Sequence, residues 1–232
     1  MRAAADPAHG QRYGVATGPI TLGISSLLLL AFPLMRPFTD RTGTPAEVAT
    51  TFASVSWLVA HVLAGLGFVL LPVGLFALVA FLRGTCAERF ASLGLIVSWI
   101  GIGLILPTAF GTEPFALRAI GQAAVHQKNT GLLDLAMAIR VGPQARVFFP
   151  GLIALAIGAA LIAVAVWHSG TLPKWSGVVL ALGLALFFPL FARPIRIVDG
   201  LLIGAGGVWI AFSMLQLAPL YRGGPARSYP AP

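Results

Sequence analysis

The sequence TFASVSWLVAHVLAGLGFVLLPVGLFALVAFL, residues 51–82, contains no Asp, Glu, Lys or Arg. A helix at the surface of a soluble protein carries polar residues along one face, whereas this run is apolar on every face and fits a surrounding of lipid. Strands of a membrane barrel alternate apolar and polar residues over about ten positions, and this run shows no such alternation. The run therefore predicts a membrane-spanning α-helix that is long enough to tilt or project.

Five more apolar runs show the same pattern, each near the roughly 17 to 25 residues that cross a bilayer. They lie at about 18–38, 90–110, 147–167, 176–192 and 198–218. We therefore predict an all-α fold, a polytopic transmembrane bundle of about six helices.

The remaining segments are two tails and one long connection. We expect a flexible N-terminal tail over residues 1–17, the transmembrane domain over 18–218 and a disordered C-terminal tail over 219–232, which is rich in Gly, Pro and Arg. Residues 111–146 separate spans three and four and mix apolar with charged positions. They predict an interfacial or projecting helical segment between these two spans.

Composition excludes several classes of protein. Hydrophobic residues make up 58% of the 232 residues and charged residues 9%, against about 25% charged in soluble proteins. The net charge of +8 comes from Lys and Arg scattered between apolar runs, which is typical of span ends and not of a nucleic-acid-binding surface. We expect the lipid bilayer as a partner and no nucleic acid. Cys86 is the only cysteine, which excludes an intramolecular disulfide and a cysteine metal cluster.

The orientation rests on one short loop. Lys and Arg are nearly equal in number on the two sides, so their count does not decide. The turn at residues 83–89, which carries Arg83 and Arg89, looks like a cytoplasmic loop. We therefore expect both termini in the cytoplasm.

The segment HSGTLPKWSG, residues 168–177, joins a span end, a short turn and a Gly-led span. With EPFALR at residues 113–118, it resembles a family of uncharacterised six-span bacterial membrane proteins. The resemblance implies a six-helix domain of unknown function in the cytoplasmic membrane, with the Lys174 turn inside. It supplies no substrate and no catalytic residue. The high content of Ala, Gly, Pro and Arg is also typical of a high-GC bacterium.

Ionisable residues inside a span cost roughly 2.5 to 3.5 kcal/mol unless they are paired or hydrated, so each one marks a candidate site. His61 lies well inside the second span, and Trp57 stands one helical turn before it on the same face. Other polar residues at the outer span ends are expected to converge on the same outward-facing pocket. These are Glu113, Arg118, His126 and Asp199, the last near Arg193 and Arg196.

Two interpretations of these residues stay open. In the first they bind a ligand: Glu113 pairs with Arg118, and His61 offers a neutral imidazole to a ligand, a proton or a metal. In the second, His61 is hydrogen-bonded to a neighbouring helix and the charges are solvated span ends. Haem would need two histidines at one depth, and only His61 with His126 could supply them, on condition that the connection folds back into the bundle. We assign no catalytic residue, metal site or cofactor, because hydrolase and phosphate-binding motifs are absent.

The sequence thus favours a non-enzymatic multi-pass membrane protein: a sensor, an accessory subunit or a binder of a small apolar or lipid-like ligand. The ligand cavity would be opened by prolines in the spans, which are Pro33, Pro72, Pro107 and Pro189. A transporter or channel component is the alternative, and a membrane enzyme or a haem-carrying protein ranks lower.

Close helix packing is expected in span six. Gly200 and Gly204 form a small-xxx-small pattern, followed by Gly206 and Gly207. This face serves packing inside the bundle or, as the alternative, a helix partner or a homo-oligomer.

Overall fold

The computed structural model describes residues 7–39, 42–188 and 192–221, with the backbone alone for 7–16 and 218–221. The described part is helical and contains no strand. Its helices are α1 (Pro7–Met35), α2 (Pro45–Ala53), α3 (Val55–Phe81), α4 (Glu88–Ile105), α5 (Arg118–His126), α6 (Leu133–Val141), α7 (Pro143–His168), α8 (Lys174–Leu186) and α9 (Arg193–Tyr221). A π-helical segment, Leu106–Leu117, continues α4 into α5, and a 3₁₀ turn, Thr130–Leu132, precedes α6.

Six of these helices form a ring. In order around the ring, α1 packs against α3, α3 against α4, α4 against α7, α7 against α8, α8 against α9, and α9 against α1. Five stretches are long and apolar enough to cross a membrane: Thr17–Met35, Val55–Phe81, Glu88–His126, Pro143–His168 and Arg193–Leu217. The chain is therefore a membrane protein, and the predicted all-α bundle of about six helices is confirmed, with a projecting segment after the third span.

Several predicted boundaries differ from the structure. The helix α1 begins at Pro7, so residues 7–17 are helical where we expected a tail. The long run 51–82 is split at Ser54, whose side chain accepts a hydrogen bond from the Trp57 backbone N–H at 3.1 Å and so starts α3. The fifth span ends at Leu186, short of the expected residue 192. Of the C-terminal tail expected to be disordered over 219–232, residues 219–221 belong to α9 and the rest lie outside the described residues.

Glycines bring the ring helices close together. A Cβ added to Gly101 of α4 would lie 2.6 Å from the Leu155 backbone nitrogen of α7, which is nearer than real Cβ atoms approach. The predicted face on α9 packs inside the bundle, since Gly200 meets Pro33 and Gly204 meets Leu30, both on α1. Membrane helices lack a hydrophobic force between them, so close backbone approach is a main source of their attraction.

The two ends of the bundle differ. At the turn end, residues 82–87 and 169–173 join helices through short turns in which Gly84 and Gly170 have positive φ, a conformation that favours glycine. At the capped end, α2, α5 and α6 form a cap with its own apolar core, which consists of Ala49, Phe52, Trp57, Leu117, Ala124, Leu133 and Ala136. The cap begins with a capping box in which Thr44 and Glu47 bond each other reciprocally.

Candidate functional site

The π-helical segment places Glu113 at the capped end. Pro107 and Pro114 lie in this segment, and each lacks the N–H that an α-helix would use for its bond to residue i−4. The wider turn also lets the Thr112 hydroxyl donate to the Pro107 carbonyl at 2.9 Å. The Trp57 indole N–H donates to the Glu113 carbonyl at 3.1 Å, which joins the segment to α3. Segments of this kind are frequent at functional sites.

Glu113 forms an ion pair with Arg140 of α6. The guanidinium donates from Nε to Oε1 and from an Nη nitrogen to Oε2, both at 3.2 Å. The two side chains are each 14% exposed, so water screens the pair only in part. The predicted pair between Glu113 and Arg118 is wrong. Arg118 begins α5, whereas the partner of Glu113 is Arg140, which lies on α6 where this helix folds back across the cap.

His61 connects this carboxylate to the bundle core. Its Nδ1 lies 2.7 Å from the Trp57 carbonyl oxygen, and because a carbonyl only accepts, Nδ1 donates there. Its Nε2 lies 3.4 Å from Glu113 Oε2. Two acceptors do not attract each other, so a proton between Nε2 and Oε2 is needed for the contact to be favourable. The imidazole is 2% exposed and is therefore buried.

A cavity of about 510 Å³ opens beside this cluster at the capped end. Its apolar wall is aromatic: the Phe32 ring meets His61 edge-on at 5.1 Å between centroids, and Phe110 and Phe187 pack around Phe32. Phe148 and Phe149 of α7 complete that wall, while Met137 and Val141 of α6 line the other side. The lining of the cavity is therefore mostly apolar.

Three arginines line the cavity together with Glu113 and His61: Arg36, Arg140 and Arg196. The Arg36 guanidinium lies over the Trp57 ring at 4.7 Å from its centroid, and Arg196 lies over Phe187 at 4.2 Å. Cation–π contacts of this type hold a guanidinium in place. Arg196 also donates to Asp199 at 2.6 Å. Asp199 is fully buried and lies behind Arg196, away from the cavity surface.

The structure brings only some of the predicted residues together. His61 and Glu113 line the cavity, Trp57 contacts both, and Asp199 acts through Arg196. Arg118 and His126 do not line it, and His126 is exposed at the end of α5. The cavity lining also contains none of Pro33, Pro72 or Pro107, so these prolines do not open it as expected; Pro189 lies outside the described residues.

Sequence reasoning missed Arg36 and Arg140 as site residues and noted Arg196 only as a neighbour of Asp199. One of the two interpretations above treats charges at span ends as solvated, whereas Arg36 is 7% and Arg196 4% exposed. Nothing in the sequence around Arg36, Arg140 and Arg196 distinguishes them from ordinary solvated charges. Within the described residues, no group of three or more His, Cys, Asp and Glu is placed to hold a metal ion.

Comparisons with protein-family models, with curated proteins and with solved structures found no match to this chain.

Proposed function

We propose that this chain is a non-enzymatic multi-pass membrane protein that binds an anionic lipid-like ligand in the cavity at its capped end. The ligand's headgroup would face the arginines, and its chain would lie against the phenylalanines. A sensor or an accessory subunit would use the same binding step. The observation that carries the proposal is a single cavity that combines a mostly phenylalanine lining with three arginines.

The size and lining of the cavity support a small ligand. A volume of about 510 Å³ falls within the roughly 300 to 1,000 Å³ of known ligand pockets. Such pockets are mainly apolar and carry a few fixed polar groups that orient the ligand. The walls formed by Phe32, Phe110 and Phe187 match the apolar part of this description.

The charge of the lining supports an anion. Among the described residues, its charged groups are three guanidiniums and one carboxylate. A guanidinium carries five N–H donors, so an arginine that is already paired still donates to a further acceptor when one arrives. Arginine's planar fork also suits carboxylate and phosphate oxygens. An alkyl carboxylate and a phosphate-bearing lipid share this chemistry.

A transporter or channel component is the second candidate, favoured by the contact between His61 and Glu113. A histidine in contact with a carboxylate inside a span is the kind of pair that proton relays use. Ligand-driven proton release that disappears in Glu113→Gln, measured with a pH dye in weak buffer, would favour this candidate over simple binding.

The proposal includes a bacterial cytoplasmic membrane with both termini in the cytoplasm. The turns that carry Arg83, Arg89 and Lys174 then face the cytoplasm and the cap faces outward. In a Cys86→Ser background, a thiol at the exposed Gln127 should be labelled from outside, and one at the exposed Thr171 only after permeabilisation. Reversed labelling would invert the orientation.

The binding experiment compares two ligands that differ only in the headgroup. Thermal unfolding in detergent is followed with an alkyl carboxylate and with the alcohol of the same chain length. We expect the carboxylate to raise the midpoint more than the alcohol. Arg36→Gln should remove this difference, since a hydrogen bond to a charged group contributes about 1.5 to 3 kcal/mol. Mass spectrometry of the purified protein tests for a retained lipid.

The matched control is Arg146→Gln. Arg146 lies one turn into α7, is exposed, and does not line the cavity. It should keep the full preference for the carboxylate. Equal stabilisation by carboxylate and alcohol in the wild type would contradict the proposal, and equal loss in both variants would show a general effect of net charge.

A further inference from the structure

A second hollow shares two residues with the cavity. It is a groove on the membrane-facing side of the bundle, between α3 and the π-helical segment. His61 and Phe110 line both the groove and the cavity. These two side chains are therefore the partition between them, and movement of one ring would join the two spaces.

The outer walls of the groove face lipid. Val62, Leu66 and Val69 on α3 are 40%, 50% and 54% exposed. They belong to the stretch Val55–Phe81, whose mean hydropathy of 2.6 is the highest among the candidate spans. Water does not surround such a surface at membrane depth, so the groove's occupant in a bilayer is the acyl chain of a lipid.

The groove also lies at the loosest interface of the ring. At the other five interfaces, a Cβ added to a described glycine would come within 3.0 Å of the next helix, as at Gly67, Gly101, Gly177, Gly183 and Gly200. At this interface the corresponding glycine is Gly65, and its added Cβ would meet Phe110 Cβ at an ordinary 3.4 Å. Side chains and not backbones fill this interface, so it can open by rotation of the Phe110 side chain, without separation of two helix backbones in contact.

We infer that the groove is a lateral portal, through which the ligand's acyl chain passes between the bilayer and the cavity when the Phe110 ring swings aside. The inference rests on the proposed function and adds a ligand source, the surrounding membrane. The headgroup would then meet Arg140 and Arg36 while the chain follows the phenylalanine wall. Passage requires no bond to be made or broken.

The test measures release from the cavity. Trp57 is completely buried beside His61, whereas Trp99, Trp167, Trp175 and Trp209 are partly or largely exposed. Replacing these four with Phe leaves Trp57 as the single reporter. The protein in nanodiscs is loaded with an alkyl carboxylate that carries a nitroxide near its headgroup, which quenches Trp57. Mixing with excess lipid vesicles then gives the release rate as recovery of fluorescence.

Three variants separate the possible routes. Gly65→Leu fills the groove against Phe110 and should slow release about tenfold, with Gly65→Ala giving a smaller effect should the larger residue prevent folding. Gly103→Leu, on the membrane side of α4 with nothing within 4 Å, should release like the wild type. Val141→Phe bulks the α6 side of the cavity lining, and if the route is lateral it should slow release less than Gly65→Leu does.

The outcomes distinguish the two proposals. Quenching in the wild type, with release slowed more in Gly65→Leu than in Val141→Phe, supports the portal. Quenching with slowed release in Val141→Phe and normal release in Gly65→Leu overturns the portal and leaves the binding function intact. Absence of Trp57 quenching in the wild type contradicts the binding function itself, and the portal with it.

Discussion

The interior of the ring and its capped end are held together by different contacts. In the interior, α4 meets α7 through Gly94, Gly101, Gly151 and Gly158, whose added Cβ atoms would lie 3.0 Å or less from the neighbouring helix. At the capped end, Glu113 bridges His61 and Arg140 while arginines stack on aromatic rings. The first region is packed by backbone shape and the second by charge and hydrogen bonds.

This difference separates stability from function. Shape-based packing is insensitive to pH and ligand, so the interior forms a fixed frame. Low dielectric strengthens the hydrogen bonds and ion pairs of a polar cluster in a partly dry site. The stability of such a cluster therefore changes when one partner is removed or a new anion enters. The frame and the responsive site therefore occupy different depths of one bundle.

The largest effect is expected from a side chain placed at Gly101. The atoms that face it are backbone atoms of Gly151 and Leu155, which cannot move aside as a flexible side chain does. We expect Gly101→Leu to destabilise the protein by more than about 5 kcal/mol and abolish folding. The yield of monodisperse protein in detergent and its thermal midpoint provide the measurement.

Two glycines supply a graded control for this change. Gly204 faces the end of the Leu30 side chain at 3.0 Å, so Gly204→Leu should cost less, about 1 to 3 kcal/mol. Gly103 has open space, and Gly103→Leu should be neutral. Equal tolerance at Gly101 and Gly103 would contradict the view that backbone contact holds the interior.

An intermediate effect is expected at the ion pair. Removal of either partner leaves a charge in a site that is 14% exposed, and this costs about 3 to 5 kcal/mol for buried pairs. The double variant should be less destabilised than the sum of the two single variants. A double-mutant cycle of Glu113→Gln and Arg140→Gln, followed by thermal unfolding, should give a coupling of about 1 to 3 kcal/mol.

Arg118 is the matched control for this cycle. It belongs to the same cap and does not contact Glu113. Coupling between Glu113→Gln and Arg118→Gln should stay within about 0.5 kcal/mol, the range for independent sites. Strong coupling to Arg118 with none to Arg140 would restore the pairing that the sequence suggested.

The smallest effect is expected at the start of the cap. The Thr44 backbone N–H, and then its hydroxyl, hold the pKa of the Glu47 carboxyl below its ordinary value of 4.5. This contribution is present above the unfolded pKa and is lost as the pH falls through the lower folded value. The protection factors of the α2 amides, which compare their exchange with the intrinsic rate at the same pH, should therefore fall below about pH 4.5.

Two variants check this assignment. Thr44→Ala removes the cap and should cost about 1 kcal/mol at neutral pH. Glu47→Gln keeps a hydrogen-bonding side chain without a titrating proton, so exchange in α2 should lose its acid-dependent step. An acid step of unchanged size in Glu47→Gln would assign it to another carboxyl group.

The spans could be predicted from sequence because lipid imposes one condition on every face of a helix, and that condition is visible as an uninterrupted apolar run. The break at Ser54 could not. Residues on both sides of it are apolar, and the helix ends there because α2 turns to pack against α5, where Gly121 approaches Phe52. That contact joins segments far apart in the chain.

The candidate site was only partly predictable for a related reason. His61 and Glu113 are conspicuous because polar groups are expensive within a span. Arg140 is not conspicuous in the sequence, because it lies outside the apolar runs. Its approach to Glu113 depends on the reversal of the chain at the turn Thr130–Leu132. Arg36 and Arg196 have the same sequence context as ordinary charged span ends, and only tertiary packing shows that they are buried.

The shortness of α8 has a consequence for the membrane itself. Its 13 residues rise about 20 Å, whereas the hydrocarbon layer is about 30 Å thick. Such hydrophobic mismatch is met by local thinning of the bilayer and by headgroups drawn toward the short helix. The fold therefore favours thin bilayers, and lengthening the acyl chains of the host lipid should strain the α7–α8–α9 side of the ring more than the opposite side.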